Sequence, residues 1–425
     1  MPPIRFIHAA DLHLDAAFSG LSRDIPADFA ERLRTATFTA FRRLLDLCER
    51  ESPDFLLLAG DVYNQEDASV SAQLALRDGF RRLESLSIPV FLVHGNHDPL
   101  ASRLRSVRWP GNVTVFGELP DAVPVFRKGE GTPLAIIHGA SHASGRETRN
   151  LAALFRRTEA CGLHVGLLHA TPGDADGVAR YAPFSQGDLK ASGMDYWAPG
   201  HIHDRREVCR EPLAAYPGCT QGLHINEPGE KGCLLVTAEA RPDGGYAVRT
   251  SFRPLGPAVW KTLDMDLGGA ASLDELENRL RTGLDRAAAE VWSGCEMLLV
   301  RLRLQGRTEL DGLLRKGTTC AELADRLRED GSGVPRIWIK DIDVATRPCV
   351  ERGALLERED LLGEVFRLSE AARTASGLQA LREGPLAPLF AHARAGKALE
   401  PLTDEELARL LDDAESLCLD LLEND

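Results

Sequence analysis

Short apolar runs at residues 4–10, 55–59, 90–93, 134–137, 165–168 and 196–198 punctuate the first half of the chain. Each has the length of a buried strand and is too short for an ordinary helix. Between them, at 27–50 and 69–86, apolar residues return at helical spacing, which predicts amphipathic helices lying on the strands. Such strand–helix alternation predicts an α/β fold with a largely parallel sheet covered by helices. Residues 232–238 and 246–253 predict a closing hairpin. The texture changes at Arg253-Pro254-Leu255-Gly256-Pro257, which reads as a linker. Beyond it, strands at 259–267, 297–304 and 337–344 with a helix at 273–289 predict a small α+β domain. From about Glu351 the chain is rich in Ala, Leu, Glu and Arg and reads as helices, broken at Gly384-Pro385. The last helix, 402–422, carries a capping signal in Thr403 and Glu406. The division expected is 1–253, 258–345 and 346–425.

Composition narrows the class. The 425 residues exceed one ordinary core, and 44% hydrophobic with 27% charged residues is the balance of a soluble globular protein. No apolar run approaches the roughly 20 residues of a spanning helix. The N-terminus lacks a basic region followed by an apolar stretch, so no secretory signal and no membrane association are expected. Nine cysteines, scattered singly without a CxxC pair, suit reduced thiols, and a cytoplasmic location is the expectation. A net charge of −14 argues against broad, unassisted binding to nucleic acid. Bound divalent cations would change that locally, because an ion's own charge counts in the site's field.

The candidate chemistry sits where the predicted strands end. Asp11-Leu12-His13, Gly60-Asp61, Gly95-Asn96-His97-Asp98 and Gly200-His201-Ile202-His203 each follow an apolar run, and His169 ends the run 165–168. In open α/β sheets the loops at the carboxyl ends of strands converge on one edge, where ligands gather. Carboxylate, amide oxygen and imidazole without a thiolate suit Mn²⁺, Fe²⁺ or Zn²⁺. Each motif alone is weak, whereas the ordered set is specific. Ten of the twelve histidines lie at or before residue 203, so the chemistry belongs to the N-terminal domain.

The ordered set resembles the calcineurin-like metallophosphoesterases over residues 4 to about 203. The runs Phe6-Ile7-His8-Ala9-Ala10-Asp11-Leu12-His13-Leu14, Tyr181-Ala182-Pro183-Phe184 and Asp195-Tyr196-Trp197-Ala198-Pro199-Gly200-His201-Ile202-His203 resemble the SbcD-type DNA repair nucleases, and among them the YhaO branch. Tyr216-Pro217-Gly218, Gln221-Gly222 and Glu230-Lys231-Gly232 extend the likeness to about residue 236. The resemblance implies a four-layer αββα sandwich, with a small α+β capping domain and a helical C-terminal region. It further implies that Asp11, His13 and His203 hold one metal ion and Asn96, His169 and His201 the other, bridged by Asp61. Two divalent ions, foremost Mn²⁺, would activate a water for phosphodiester hydrolysis, with His97 beside the leaving oxygen and Asp98 orienting His97. Where many members carry a histidine three residues after the bridging Asp, this chain has Asn64. That departure bears on the balance of exonuclease and endonuclease action.

The implied function is a DNA exonuclease or endonuclease of repair, working with an SbcC-like coiled-coil ATPase. Residues 346–425 would be its docking segment, and 69–86 a face for a homodimer. Two alternatives are a phosphodiesterase or phosphatase on small phosphate compounds, and a catalytically silent ATPase-binding scaffold. Asn64, Arg205 and His224 are candidates for substrate contact, as are Arg206, Arg103, Arg105 and Arg108. His8 and His94 read as packed residues and His164 as exposed, while contact with the ligands is the lesser of two readings for His138 and weaker still for His142. Tyr181 and Phe184 read as core residues, with base stacking as the other use.

Overall fold

The structure is a computed structural model describing residues 2–21, 25–64, 69–101, 107–173, 180–242, 244–329, 333–349, 352–392 and 402–422. Arg103 and Arg105 lie outside the described residues. The chain forms two compact units. The first comprises residues 1–263, 281–302 and 322–342, the second residues 264–280, 303–321 and 343–425.

The first unit is built on two six-stranded sheets. One contains β1 (Ile4–Ala9), β2 (Phe55–Ala59), β3 (Val90–Val93) and β4 (Val113–Val115); the other contains β5 (Asp121–Val125), β6 (Ala135–Ala140), β7 (Leu163–His169), β8 (Tyr196–Gly200), β9 (Arg206–Arg210) and β10 (Leu213–Tyr216). Strands β11 (Gly232–Ala240) and β12 (Tyr246–Pro254) return to the first sheet, giving the orders β12-β11-β1-β2-β3-β4 and β5-β6-β7-β8-β10-β9. The centre of each is parallel, β1 to β4 in one and β6-β7-β8-β10 in the other. Antiparallel strands form the flanks.

Side chains of successive strand residues point to opposite faces, and here both faces are apolar. Phe6, Phe55, Leu57, Phe91, Val165 and Tyr196 meet between the sheets. Ile7, Leu56, Leu58 and Leu92 turn the other way, onto helices α2 (Ala36–Glu51) and α3 (Val70–Ser85). On the far side of the second sheet, Trp197 and Leu168 pack with Phe155 and Leu189 of helix α4 (Gln186–Ala191). Helix, sheet, sheet and helix make the expected four layers, with two sheets where the apolar runs alone predicted one.

The helix expected at 27–50 is two helices, α1 (Ala27–Arg34) and α2. The Thr35 hydroxyl donates back to the Glu31 carbonyl at 3.0 Å, and its backbone leaves the helical region. The break lets Phe29 and Leu33 join Trp260, Met297, Leu299 and Trp338 while α2 stays on the sheet. The segment 253–257, read as a linker, is anchored within the first unit. Leu255 is buried, and the amides of Leu255 and Gly256 donate to the Lys231 carbonyl at 2.9 and 3.1 Å.

A third sheet orders β13 (Ala258–Asp266), β14 (Met297–Thr308) and β15 (Arg336–Pro348). The remaining helices are α5 (Leu273–Glu290), α6 (Asp311–Leu314), α7 (Thr319–Glu329), α8 (Arg352–Leu356), α9 (Leu361–Ala372), α10 (Ala375–Glu383), α11 (Ala387–Ala391) and α12 (Asp404–Leu422). In the second unit Leu355, Leu362, Phe366 and Leu419 form a small core joining α8, α9 and α12. Buried Glu415 accepts from Arg352 twice at 2.8 Å and from Arg373 at 3.2 Å. Thr403 and Glu406 form the expected capping box, with reciprocal bonds of 3.2 and 2.7 Å.

Candidate metal centre

Every expected ligand lies at or just beyond the carboxyl end of a parallel strand: Asp11 and His13 after β1, Asp61 after β2, Asn96 after β3, His169 closing β7, and His201 and His203 after β8. The backbone there is unusual. Asp11 (φ 51°), His13 (φ 41°), Asp61 (φ 48°) and His201 (φ 102°) lie in the left-handed region, which side chains with a Cβ occupy at a cost. Local bonds hold these turns: the Asp11 amide donates to the Gly60 carbonyl at 3.1 Å and the His13 amide to that of Asp61 at 3.0 Å. Gly60 and Gly95 keep space for the ligands themselves, since a Cβ on either would fall inside van der Waals distance of the His169 ring.

Two donor groups result, Asp11 with His13 and His203, and Asp61 with His169 and His201. Within each, the ligand atoms lie within 4.8 Å of one another. Asp61 Oδ2 is 3.3 Å from His169 Nε2 and 3.9 Å from His13 Nε2, so one carboxylate faces both groups. Asn96 Oδ1 is 3.0 Å from His169 Nε2.

The tautomers test whether cations fit. His13 Nδ1 faces Asn64 Oδ1 at 2.6 Å and His203 Nδ1 faces a Glu227 carboxylate oxygen, so each Nδ1 must carry hydrogen and donate. In the neutral rings both Nε2 atoms then present lone pairs, 3.1 Å apart. His169 repeats the pattern, its Nδ1 donating to the Ala59 carbonyl at 2.9 Å and its Nε2 turned to Asn96 and Asp61. Lone pairs converging on carboxylate and amide oxygens repel unless a cation or a proton lies between them. The donor set fits two divalent ions, and without metal it takes up protons instead. Burial disfavours the His169 cation, yet Asp61 and Asp11 raise its pKa to about 9. Burial likewise opposes ionisation of Asp61, but His169, His13 and His97 hold its carboxyl well below the usual range.

The other expected site residues divide. His97 is exposed, its ring centroid 5.2 Å from that of His13, and its amide donates to Asp61 Oδ1 at 2.9 Å. Asp98, expected to orient His97, is instead buried beneath the turn. Its carboxylate accepts from the amides of Gly95 at 2.7 Å and Val62 at 3.1 Å, and lies 3.2 Å from His94 Nδ1. Asn64, expected to meet substrate, places its amide oxygen on His13. Arg205 is exposed, with its guanidinium 4.1 Å above the Phe252 ring. Arg206 and Arg108 are exposed as well. His224 is half-buried, with Nε2 3.2 Å from Glu227 Oε1.

Among the remaining candidates, His8 is a core residue whose Nδ1 lies 3.0 Å from the Tyr196 hydroxyl. Phe184 is core, while Tyr181 is half-buried with its ring centroid 5.3 Å from that of His201. His142 is the neighbour of the ligands, its Nε2 donating to the His169 carbonyl at 2.6 Å. His138 is paired instead with His164 at 2.9 Å, and His164 is buried, not exposed, because β7 begins two residues earlier than its apolar run suggests. Glu227 was not anticipated. Buried behind His203, its carboxyl is kept at about 2 despite burial, by His203 and the Leu223 amide. The only sequence signal was its place three residues after His224.

The calcineurin-like phosphoesterase family profile matches residues 4–205, and that of the metallophosphoesterase YhaO middle domain matches residues 260–347. The metallophosphoesterase YhaO of Bacillus subtilis is 34% identical over 388 residues, covering 90% of this chain and 91% of its own. The DNA double-strand break repair protein Mre11 of Aeropyrum pernix is 28% identical, covering 68% and 69%. That of Haloferax volcanii is 24% identical, covering 87% and 78%. Among the described residues no helix is long and apolar enough to cross a membrane. With the ligand set, the sandwich and the near full-length likeness in agreement, the chain belongs to the calcineurin-like metallophosphoesterases, on their YhaO branch.

Proposed function

We propose that this phosphoesterase is a two-metal DNA nuclease of repair that releases nucleotides from duplex ends. The carrying observation is the pair of donor groups joined through Asp61, with exposed His97 in front of them. Asp11, His13 and His203 would hold one ion and Asn96, His169 and His201 the other. Mn²⁺ is the ion proposed, with Fe²⁺ and Zn²⁺ also compatible with the mixed oxygen and imidazole set. Bound there, two divalent ions clamp a phosphate and lower the pKa of a water between them. His97 is placed to stabilise or protonate the leaving oxygen, while Asn64 fixes the His13 ring and Asp98 fixes the turn bearing Asp61. Arg205 offers an exposed cation to the nucleic-acid backbone, and His224 a half-exposed imidazole. The names of the Mre11 relatives support DNA as the substrate class.

We assign 1–253 to the nuclease domain, 258–345 to a cap and 346–425 to a helical region that docks an SbcC-like ATPase. Leu410, Leu417 and Leu421 support that docking: they are exposed on α12 at spacings that share one helical face. On α3, exposed Val70 and Leu74 support a homodimer face. The net charge of −14 favours a second reading, hydrolysis of small phosphodiesters.

A Mn²⁺ assay on linear duplex DNA decides between them. Nucleotide release that disappears in Asp61→Asn and His97→Ala is the expected result. Turnover of a cyclic nucleotide with no action on DNA would assign the second reading. DNA cleavage unchanged in both variants would refute the site.

A further inference from the structure

Three of the imidazoles at the centre show a partner behind the ring, and those partners differ in charge. The Ala59 carbonyl behind His169 and the Asn64 amide oxygen behind His13 are neutral dipoles. Behind His203 stands a full carboxylate, Glu227, 6% exposed. Its Oε1 accepts from His203 Nδ1 and faces His224 Nε2 at 3.2 Å, while Oε2 accepts the Leu223 amide at 2.7 Å. The His203 backbone is gripped as well, its carbonyl accepting from Lys231 Nζ at 3.1 Å and from the Cys219 amide at 3.2 Å.

We infer that Glu227 is a positioning residue that fixes the His203 tautomer, with Nε2 turned to Asp11 and His13, and so raises the affinity for the ion held there. The inference rests on the two-ion reading above. A carboxylate behind a ligating imidazole also raises the basicity of the nitrogen that binds metal. Glutamine has the shape of Glu227 but cannot serve both neighbours. If its NH2 faces Leu223, two donors oppose each other; if it faces His203, Nδ1 must become the acceptor and Nε2 gains the hydrogen that blocks the metal.

The test titrates Mn²⁺ into the metal-free full-length chain, following free Mn²⁺ by electron paramagnetic resonance. Wild type is expected to take two ions. In Glu227→Gln one of them weakens about 10–100-fold while the other is unchanged. Equal pairs of dissociation constants in wild type and variant would overturn the inference and leave the two-ion reading standing. A wild type that binds fewer than two ions would overturn both. Because Glu227→Gln can fail to fold, a second measurement stands on wild type alone: ¹⁵N spectra of the metal-free protein, taken where the His203 ring is neutral. These should show hydrogen on Nδ1, and hydrogen on Nε2 refutes the role.

Discussion

At Gly95 an added Cβ would lie 2.3 Å from Asp61 Oδ1 and 2.8 Å from His169 Nε2. Gly95→Ala should therefore displace the Asp61 carboxylate without unfolding the sheets. The expected outcome is loss of phosphodiesterase activity by about 100-fold or more, the usual consequence of a misplaced catalytic group, with an unchanged far-ultraviolet circular dichroism spectrum. Three buried imidazoles outside the candidate ligand set contribute to acid stability. Burial above all keeps His8 neutral down to about pH 3, and His138 and His142 down to about pH 4. In the unfolded chain each returns to about 6.5, so on acidification the unfolded state takes up protons first. The stability they contribute is complete above pH 6.5. It falls by about 1.4 kcal/mol per pH unit for each group as pH drops toward the folded values. Urea unfolding of the metal-free protein at pH 7 and pH 5 should show this loss, and His138→Gln should reduce it. The residues that cluster as candidate metal donors were legible in the sequence because each ends an apolar run in a short, ordered motif. Glu227 was not, because its meaning comes from His203, 24 residues away in the chain but in contact in space. Asp98 misled for the opposite reason: adjacency to His97 suggested a pair, while the turn directs its carboxylate to the backbone of residues 61–62 and 95.

Elements were readable where the period was clean. The parallel strands β1, β2, β3, β6, β7 and β8, helix α3 and the α12 capping box were legible in the sequence. β4, with three half-buried residues at the edge of its sheet, carries too little apolar signal to stand out. The partition of the strands into two sheets is likewise invisible in the runs, because strands buried on both faces read the same in one sheet or two. The C-terminal helices invite a separate test. Glu415 is 6% exposed and receives two arginines, so Glu415→Ala leaves Arg352 and Arg373 without their shared acceptor. A loss of about 2 kcal/mol is expected, read as faster amide hydrogen exchange in α9 and α12 with exchange in the two large sheets unaffected.

For the whole molecule, an acidic protein is proposed to work on an acidic polymer, and the ions reconcile the two. Each site saturated at about 100 times its dissociation constant adds about 2.7 kcal/mol to the folded state. Chelation should therefore lower the melting temperature of the first unit, and Asp61→Asn should remove most of the difference between metal-bound and chelated samples in calorimetry. Metal uptake should also release protons, because His169 carries one up to about pH 9 without metal. Apparent Mn²⁺ affinity is thus expected to rise between pH 6 and pH 8, measurable by titration calorimetry in buffers of different ionisation enthalpy.

The His201 amide donates to Asp11 Oδ2 at 3.0 Å across 190 residues of sequence. Glu227, behind His203, lies further along still. During synthesis, then, a ribosome that has released only the first 200 residues displays Asp11, His13, Asp61, Asn96 and His169 but lacks His201 and His203. On the two-ion reading, hydrolysis is therefore expected only from nascent chains long enough to include His201 and His203.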